Sequence, residues 1–382
     1  MDANPESITR SSDVIGHWGY GFRRSLRSAG MTLVVLGTCL NNLLSRGSAF
    51  LAILVLALIP AAAQAPRAAV DIQRIEIRAQ AIQAFDPREP ARTRFGALEF
   101  RGGLILESSN RDFGGLSGLR VTADGRFLSV TDKGSWLRGR IVYRGKVPIA
   151  ITDAEIAPIL GPDGRPLKRR GWYDAEALAL EDGVAYVGIE RVNQVVRFEY
   201  AKDGLRARGS PIAVPPGVKT LPHNQSIECL EMAPKGGPLA GTLIALSERG
   251  LDTGGNLLGF LIGGRDGQGA GGAFSLKRTD DFDVSDCAAT PDGNLLVLER
   301  RFSWTRGLAV RIRSVPLAAI KSGALVDGRE LMFADIGSQI DNMEGVSVHR
   351  DSSGALVLTL LSDDNFSLLQ RTLLLQFTLV RE

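Results

Sequence analysis

Four times along the chain an apolar, strand-like run stops on an acid followed at once by a base: Asp132-Lys133, Glu190-Arg191, Glu248-Arg249 and Glu299-Arg300. Upstream of each, another polar residue opens the preceding run, at Ser117, Glu176, Glu228 and Asp286. A fifth copy sets Glu344 before Asp363-Asp364. Carboxylates brought together have two chemical uses. They ligate a hard cation such as Ca²⁺, which favours several oxygen donors, and one of them can serve as a general base. They also repel one another, so a desolvated cluster needs cations or a metal beside it.

The elements that must position these residues are hairpins. "YDAEALALEDGVAYVGIER" opens with Glu176, turns at "EDG" and closes at Glu190; "VSDCAATPDGNLLVLERR" turns at "PDG" between Asp286 and Glu299. In an antiparallel hairpin the residue that begins the first strand lies near the one that ends the second. Each copy therefore gathers its two positions at one end. The opening positions fall at steps of 59, 52, 58 and 58 residues, with further strand-like runs after each acid–base pair. Two hairpins per repeat make four antiparallel strands, the content of a propeller blade. The expected fold is all-β, a β-propeller, with a sandwich or solenoid as the rival architecture. The chain after Ala65, divided by a period of about 55, leaves room for six blades of four strands. "TRFGALEFRGGLILE" and "RTLLLQFTLV" are the strands available for the remaining blade and for ring closure.

Radial packing then predicts a rim of carboxylates at the channel mouth with basic side chains between them. Asp132, Glu190, Glu248, Asp286, Glu299 and Glu344 are the candidate metal ligands. Glu176 and Glu228, opening strands in central repeats, are candidates for ligand or general base, and His223 could move protons beside them. Lys133, Arg191, Arg249 and Arg300 could clamp an anionic substrate, with Asn224 adding a neutral oxygen. The bland alternative is that these charges only tie neighbouring blades together.

Residues 1–65 read as a leader: polar with scattered Arg, then "AFLAILVLALIP" and the small-residue site Ala63-Gln64-Ala65. The apolar core is short for a membrane span, which needs ~20 residues. Export by a cleaved signal is expected, giving a periplasmic or secreted protein, with an uncleaved anchor in the inner membrane as the alternative. Residues 66–94 would be a linker or N-terminal extension, and residues 95–382 the propeller domain. The leader carries five of the chain's 45 basic residues and three of its 42 acids, so the remainder is close to neutral. A balanced chain has no electrostatic footprint for nucleic acid. Cys229 and Cys287 remain; export permits a disulfide, while two buried thiols are the commoner state.

"FGGLSGL", "SVTDKGSW", "YDAEALAL", "PHNQSIECLEM", "LLVLERRFS" followed by "RGLAVRIR", and "NMEGVSV" together resemble the phytase-like family. The likeness runs from about residue 95 to the C-terminus. It implies an exported bacterial propeller with hydrolysis of phosphoesters or esters, and it carries over Ser117, Asp132, Glu176, Glu190, Glu228, Glu248, Asp286, Glu299 and Glu344. Ser226 and Cys229 stand where glycines are expected, and Ser117 is not acidic. No G-x-S-x-G elbow, P-loop, G-x-G-x-x-G turn or zinc-type Cys/His spacing is present. "GGRDGQGAGG", 263–272, reads as a hairpin tip. The expected protein is a monomeric hydrolase of small phosphorylated or ester substrates, Ca²⁺-dependent and without an organic cofactor. A non-catalytic propeller of the cell envelope that binds a ligand or partner is the alternative.

Overall fold

The turns do the first work. Asp182 and Gly183 both take positive φ, 50° and 76°, between two strands that pair residue for residue. That is the backbone of a two-residue hairpin whose twist matches its strands. A Cβ on Gly183 would stand 2.3 Å from that of Ala201, so no larger residue fits. Beyond the turns the strands are apolar on both faces: Val184–Ile189 and Leu356–Asp363 are buried throughout. Strands buried on both sides need a sheet against each face, which is what stacking blades around an axis supplies.

This is a computed structural model, in which residues 70–263 and 271–380 are described. The expected leader, its cleavage site and most of the Gly-rich tip lie outside the described residues. Among the described residues no helix is long and apolar enough to cross a membrane.

The strands form five sheets, the blades of a β-propeller, antiparallel except where the short strand Leu325–Val326 pairs in parallel with Gly272–Leu276. From inside outward, blade one runs Leu116–Val121, Arg126–Thr131, Ser135–Arg144 and Val147–Pro158. Blade two runs Ala175–Glu181, Val184–Ile189, Gln194–Phe198 and Ser210–Pro211, and blade three Ile227–Met232, Thr242–Leu251, Leu257–Gly263 and Gly272–Leu276. Blade four runs Asp283–Ala289, Asn294–Ser303, Gly307–Pro316 and Arg329–Asp335. Blade five begins with Asn342–Arg350, Leu356–Asp363 and Thr372–Leu379. The five innermost strands touch in a closed cycle. Five separate apolar cores fill the five wedges between adjacent blades.

Six blades were expected and there are five. The two runs set aside for a sixth pair with each other: Leu98–Glu107 lies between Thr372–Leu379 and Arg78–Ile82, completing blade five. The ring is thus closed by a strand from the N-terminal side joining three from the C-terminal end. The stretch 66–94 also adds Gln73–Arg74 to the outer edge of blade one.

The axis is plugged below the mouth. Arg120 of blade one donates to the carbonyls of Leu230 at 2.6 Å, Val346 at 3.3 Å and Cys287 at 3.3 Å, and to Glu231 at 2.8 Å. One guanidinium therefore bonds blades three, four and five. Beside it Cys229 and Cys287, expected as thiols, form a disulfide joining the inner strands of blades three and four, with Cα atoms 5.2 Å apart.

Candidate functional site

A bulge near the start of each inner strand decides which side chain faces the open end of the axis. In blade two Ala175 pairs with Ile189 and Ala177 with Gly188, leaving Glu176 without a partner. Glu228 and Glu344 are left out of register in the same way in blades three and five. In blades one and four the bulged residues are Gly118 and Ser285. A β-bulge re-aims its extra residue and sharpens the local twist. One pair further out lies the closing position, held by Glu190, Glu248 and Asp363 in blades two, three and five. In blade four that position is Arg300, opposite Asp283.

A cavity of about 730 Å³ opens here. Of the expected residues, Asp132, Glu176, Glu190, Glu228, Glu248, Glu344, Asn224 and Arg300 line it. Asp174, Asp341 and Asp363 join them, so nine carboxyls face a single guanidinium among the described residues. Arg300 Nη2 stands 3.1 Å from Glu248 Oε1 and 3.0 Å from Glu344 Oε1. Asn342 donates to Glu344 at 2.9 Å, and Glu190 accepts the Ser226 N–H at 2.8 Å. Asp132 approaches so closely that a Cβ on Gly115, at φ +58°, would sit 2.1 Å from its Oδ1.

So many acids in so little water cannot all be charged. Burial pushes the Glu344 carboxyl up to about 8, with Asp363 and Glu248 adding to the rise and Arg300 opposing it. Burial likewise raises Glu190 and Asp363 to about 7 and Asp132 to about 6. Glu176 and Glu228 are driven well above the carboxylate range, by burial first and by neighbouring carboxylates second. A hydrogen bond with Ser117 opposes the rise at Glu176. Ser117 is therefore not a missing acid but a partner of the acid in the next blade.

Glu190, Glu228 and Glu248 each offer a carboxylate oxygen within 4.8 Å of the others. Those oxygens form a group that could hold a metal ion. Glu344 Oε2 and Asp132 Oδ1 are buried with no hydrogen-bond partner and are available on the same cavity.

The remaining expectations land elsewhere. Asp286 follows the bulged Ser285 by one residue, and a one-residue step turns a strand side chain to the other face. It points down the axis, accepting the N–H groups of Cys287 and Val346, each at 2.7 Å. Glu299 precedes Arg300 and faces away for the same reason. It is fully buried between Arg311 and Arg313, each donating from Nε at 2.7 Å, and serves the blade rather than the mouth. Lys133, Arg191 and Arg249 stay out of the cavity lining. Lys133 sits 3.1 Å from the centre of the Phe366 ring, Arg191 is 5.1 Å from that of Tyr173, and Arg249 pairs with Asp283. Basic groups are thus not interleaved around the mouth. His223 is exposed and does not line the cavity.

Asp174, Asp341 and Asp363 went unassigned as site residues. Asp174 and Asn342 occupy the same place, two residues before a bulged glutamate, a spacing visible in "DAE" and "NME".

The comparisons agree with the motifs. A family model described as "Phytase-like: Esterase-like activity of phytase" matches residues 111–366. No curated protein matches. Among solved structures the chain is similar to the β-propeller domain of Myceliophteria thermophila Cps50 (Swd1), at 11% identity over 68% of each chain and a TM-score of 0.31. It is similar to a protein of unknown function from Bacteroides caccae, at 11% identity over 64% of this chain and 68% of that one, TM-score 0.29. The N-terminal domain of Nup159 shows 9% identity over 80% and 98% of the two chains, TM-score 0.35.

Proposed function

The chain belongs to the phytase-like family, and we propose on that premise that it hydrolyses phosphoesters or esters with a divalent cation, Ca²⁺ by its donor set, at Glu190, Glu228 and Glu248. The observation that carries the reading is the convergence of three buried carboxylate oxygens within 4.8 Å of one another on the lining of one cavity. The donors are all hard oxygens, the type Ca²⁺ prefers. Their raised pKa values mean that the cluster needs either protons or a cation to be stable. Such a cation, when bound, polarises the scissile oxygen and acidifies a water.

The chain's own groups supply the rest. Arg300 holds Glu248 and Glu344 in fixed positions and presents the cavity's one guanidinium to an anionic group on the substrate. Glu176, hydrogen-bonded with Ser117 and held protonated by its burial, is the candidate to give a proton to the leaving oxygen as a general acid. The disulfide Cys229–Cys287 supports an oxidising compartment, periplasmic or secreted. Turnover of a chromogenic phosphoester and a chromogenic carboxylic ester, with chelator and then with added Ca²⁺, tests the reading. Activity that needs the ion and is lost in Glu228→Gln supports it.

The exposure of His223 favours a second reading, a binding propeller without turnover, because it leaves carboxyls alone for proton transfer. Saturable Ca²⁺ binding with no hydrolysis of either ester would favour that reading.

A further inference from the structure

The acidic cavity has an apolar brim on one side. Phe302, Leu308 and Leu369 line it together with the carboxyls. Phe302 and Leu308 are cross-strand partners at the tip of a blade-four hairpin, and the Phe302 ring meets Trp304 edge-on with centroids 5.4 Å apart. Trp304 is 94% exposed. On the neighbouring loop of blade five Leu368 is fully exposed and Leu369 93% exposed.

That loop is tied down. Asp364 accepts the N–H groups of Gly115 and Phe366 and the hydroxyl of Thr372, each at 3.1 Å, and the Lys133 ammonium caps the Phe366 ring. The two leucines are therefore held outward by a fixed backbone. Large apolar side chains gathered in water at the lip of a pocket mark a surface that a ligand covers. Continuity with the cavity identifies the ligand's shape. A molecule whose polar end reaches the carboxyls lays its other end across Phe302 and Leu369. Charge narrows the choice, because a lining with one guanidinium offers a compact polyanion too few cationic partners, even where burial keeps many of the surrounding carboxyls neutral.

We propose that this brim is the subsite for an apolar substrate group, so that the enzyme acts on esters or phosphoesters of a hydrophobic alcohol in preference to polyphosphate esters. The inference rests on the hydrolase reading for its chemistry, but not for its binding. The full chain, supplied with Ca²⁺, is titrated calorimetrically with ethyl phosphate and octyl phosphate, beside the double variant Phe302→Ala, Leu369→Ser. Each methylene removed from water is worth about fourfold in affinity. Octyl phosphate is expected to bind at least tenfold more tightly than ethyl phosphate, and the exposed-site variant to bring the two within twofold. Equal affinities in the unaltered chain, an unchanged ratio in the variant, or no saturable binding of octyl phosphate overturns the proposal. Turnover of p-nitrophenyl phosphate and p-nitrophenyl butyrate is followed separately. Preference for the octyl probe without turnover of either ester overturns the hydrolase reading and keeps the subsite as a binding site for amphiphiles. Turnover with no octyl preference overturns the subsite alone.

Discussion

Arg300 Nη2 lies 3.0 Å from Glu344 Oε1, and through the same nitrogen it reaches Glu248 at 3.1 Å. One guanidinium from blade four thus joins the closing position of blade three to the bulge of blade five. Arg300→Met leaves Glu344 without its counter-charge and Glu248 with only the weaker influence of Arg249. Removing one member of a buried pair costs roughly 3–5 kcal/mol, and the partial exposure of this arginine brings the expected loss to about 2 kcal/mol. Urea unfolding should show a larger loss at pH 9 than at pH 6, since more of the neighbouring carboxyls are ionised there.

The pH dependence has a definite sign. Glu344 near 8, Glu190 and Asp363 near 7 and Asp132 near 6 all bind protons more tightly folded than unfolded. Between the ordinary carboxyl range and those values the unfolded chain holds fewer protons, so stability falls as pH rises. Each group contributes a slope of up to about 1.4 kcal/mol per pH unit. Chelator-treated protein should melt at progressively lower temperature from pH 5 to pH 8.5, and saturating Ca²⁺ should remove most of that slope. A melting temperature that climbs across this window would contradict the clustering.

Glu299 and Glu248 look alike in sequence and should behave oppositely. Glu299→Ala strands Arg311 and Arg313 in the blade interior and should cost roughly 3–5 kcal/mol while leaving the carboxyl group at the mouth in place. Glu248→Gln should change stability little at pH 6 and weaken Ca²⁺ binding at least tenfold. Thermal melting with and without the ion separates the two.

The disulfide closes a loop 58 residues long in sequence. Chain-entropy arguments assign such a link about 4 kcal/mol. Replacing both Cys229 and Cys287 by Ala should lower the urea midpoint, and a reductant should do the same to the unaltered chain without affecting the double variant.

The spacing of acids in the sequence was enough to reveal the hairpins, the blades and most of the carboxyls at the mouth, because turn chemistry and strand alternation are local. Blade four shows where locality fails. Asp286 and Glu299 match the pattern of Glu228 and Glu248, yet the bulge sits at Ser285, so the ring positions belong to Ser285 and Arg300. A bulge is a one-residue event that composition does not announce, and each slip reverses every side chain after it. Blade number escaped for a different reason. Pairing of Leu98–Glu107 with Thr372–Leu379 joins opposite ends of the domain, which no repeat length encodes. Lys133, Arg191 and Arg249 stay out of the cavity lining for local reasons: Arg249 follows Glu248 on a strand and turns to the other face, while Lys133 sits in a turn and Arg191 in a 3-10 helix, each over an aromatic ring.

Calcium titration of the chelator-treated chain at pH 7, by calorimetry in two buffers of different ionisation enthalpy, tests the central claim most directly. The cluster at Glu190, Glu228 and Glu248 should bind the ion saturably and release protons as it does so, because ligation requires carboxylates that burial keeps protonated. Glu228→Gln should abolish both the binding and the release. Saturable binding with no buffer dependence, or binding unchanged in Glu228→Gln, would contradict it.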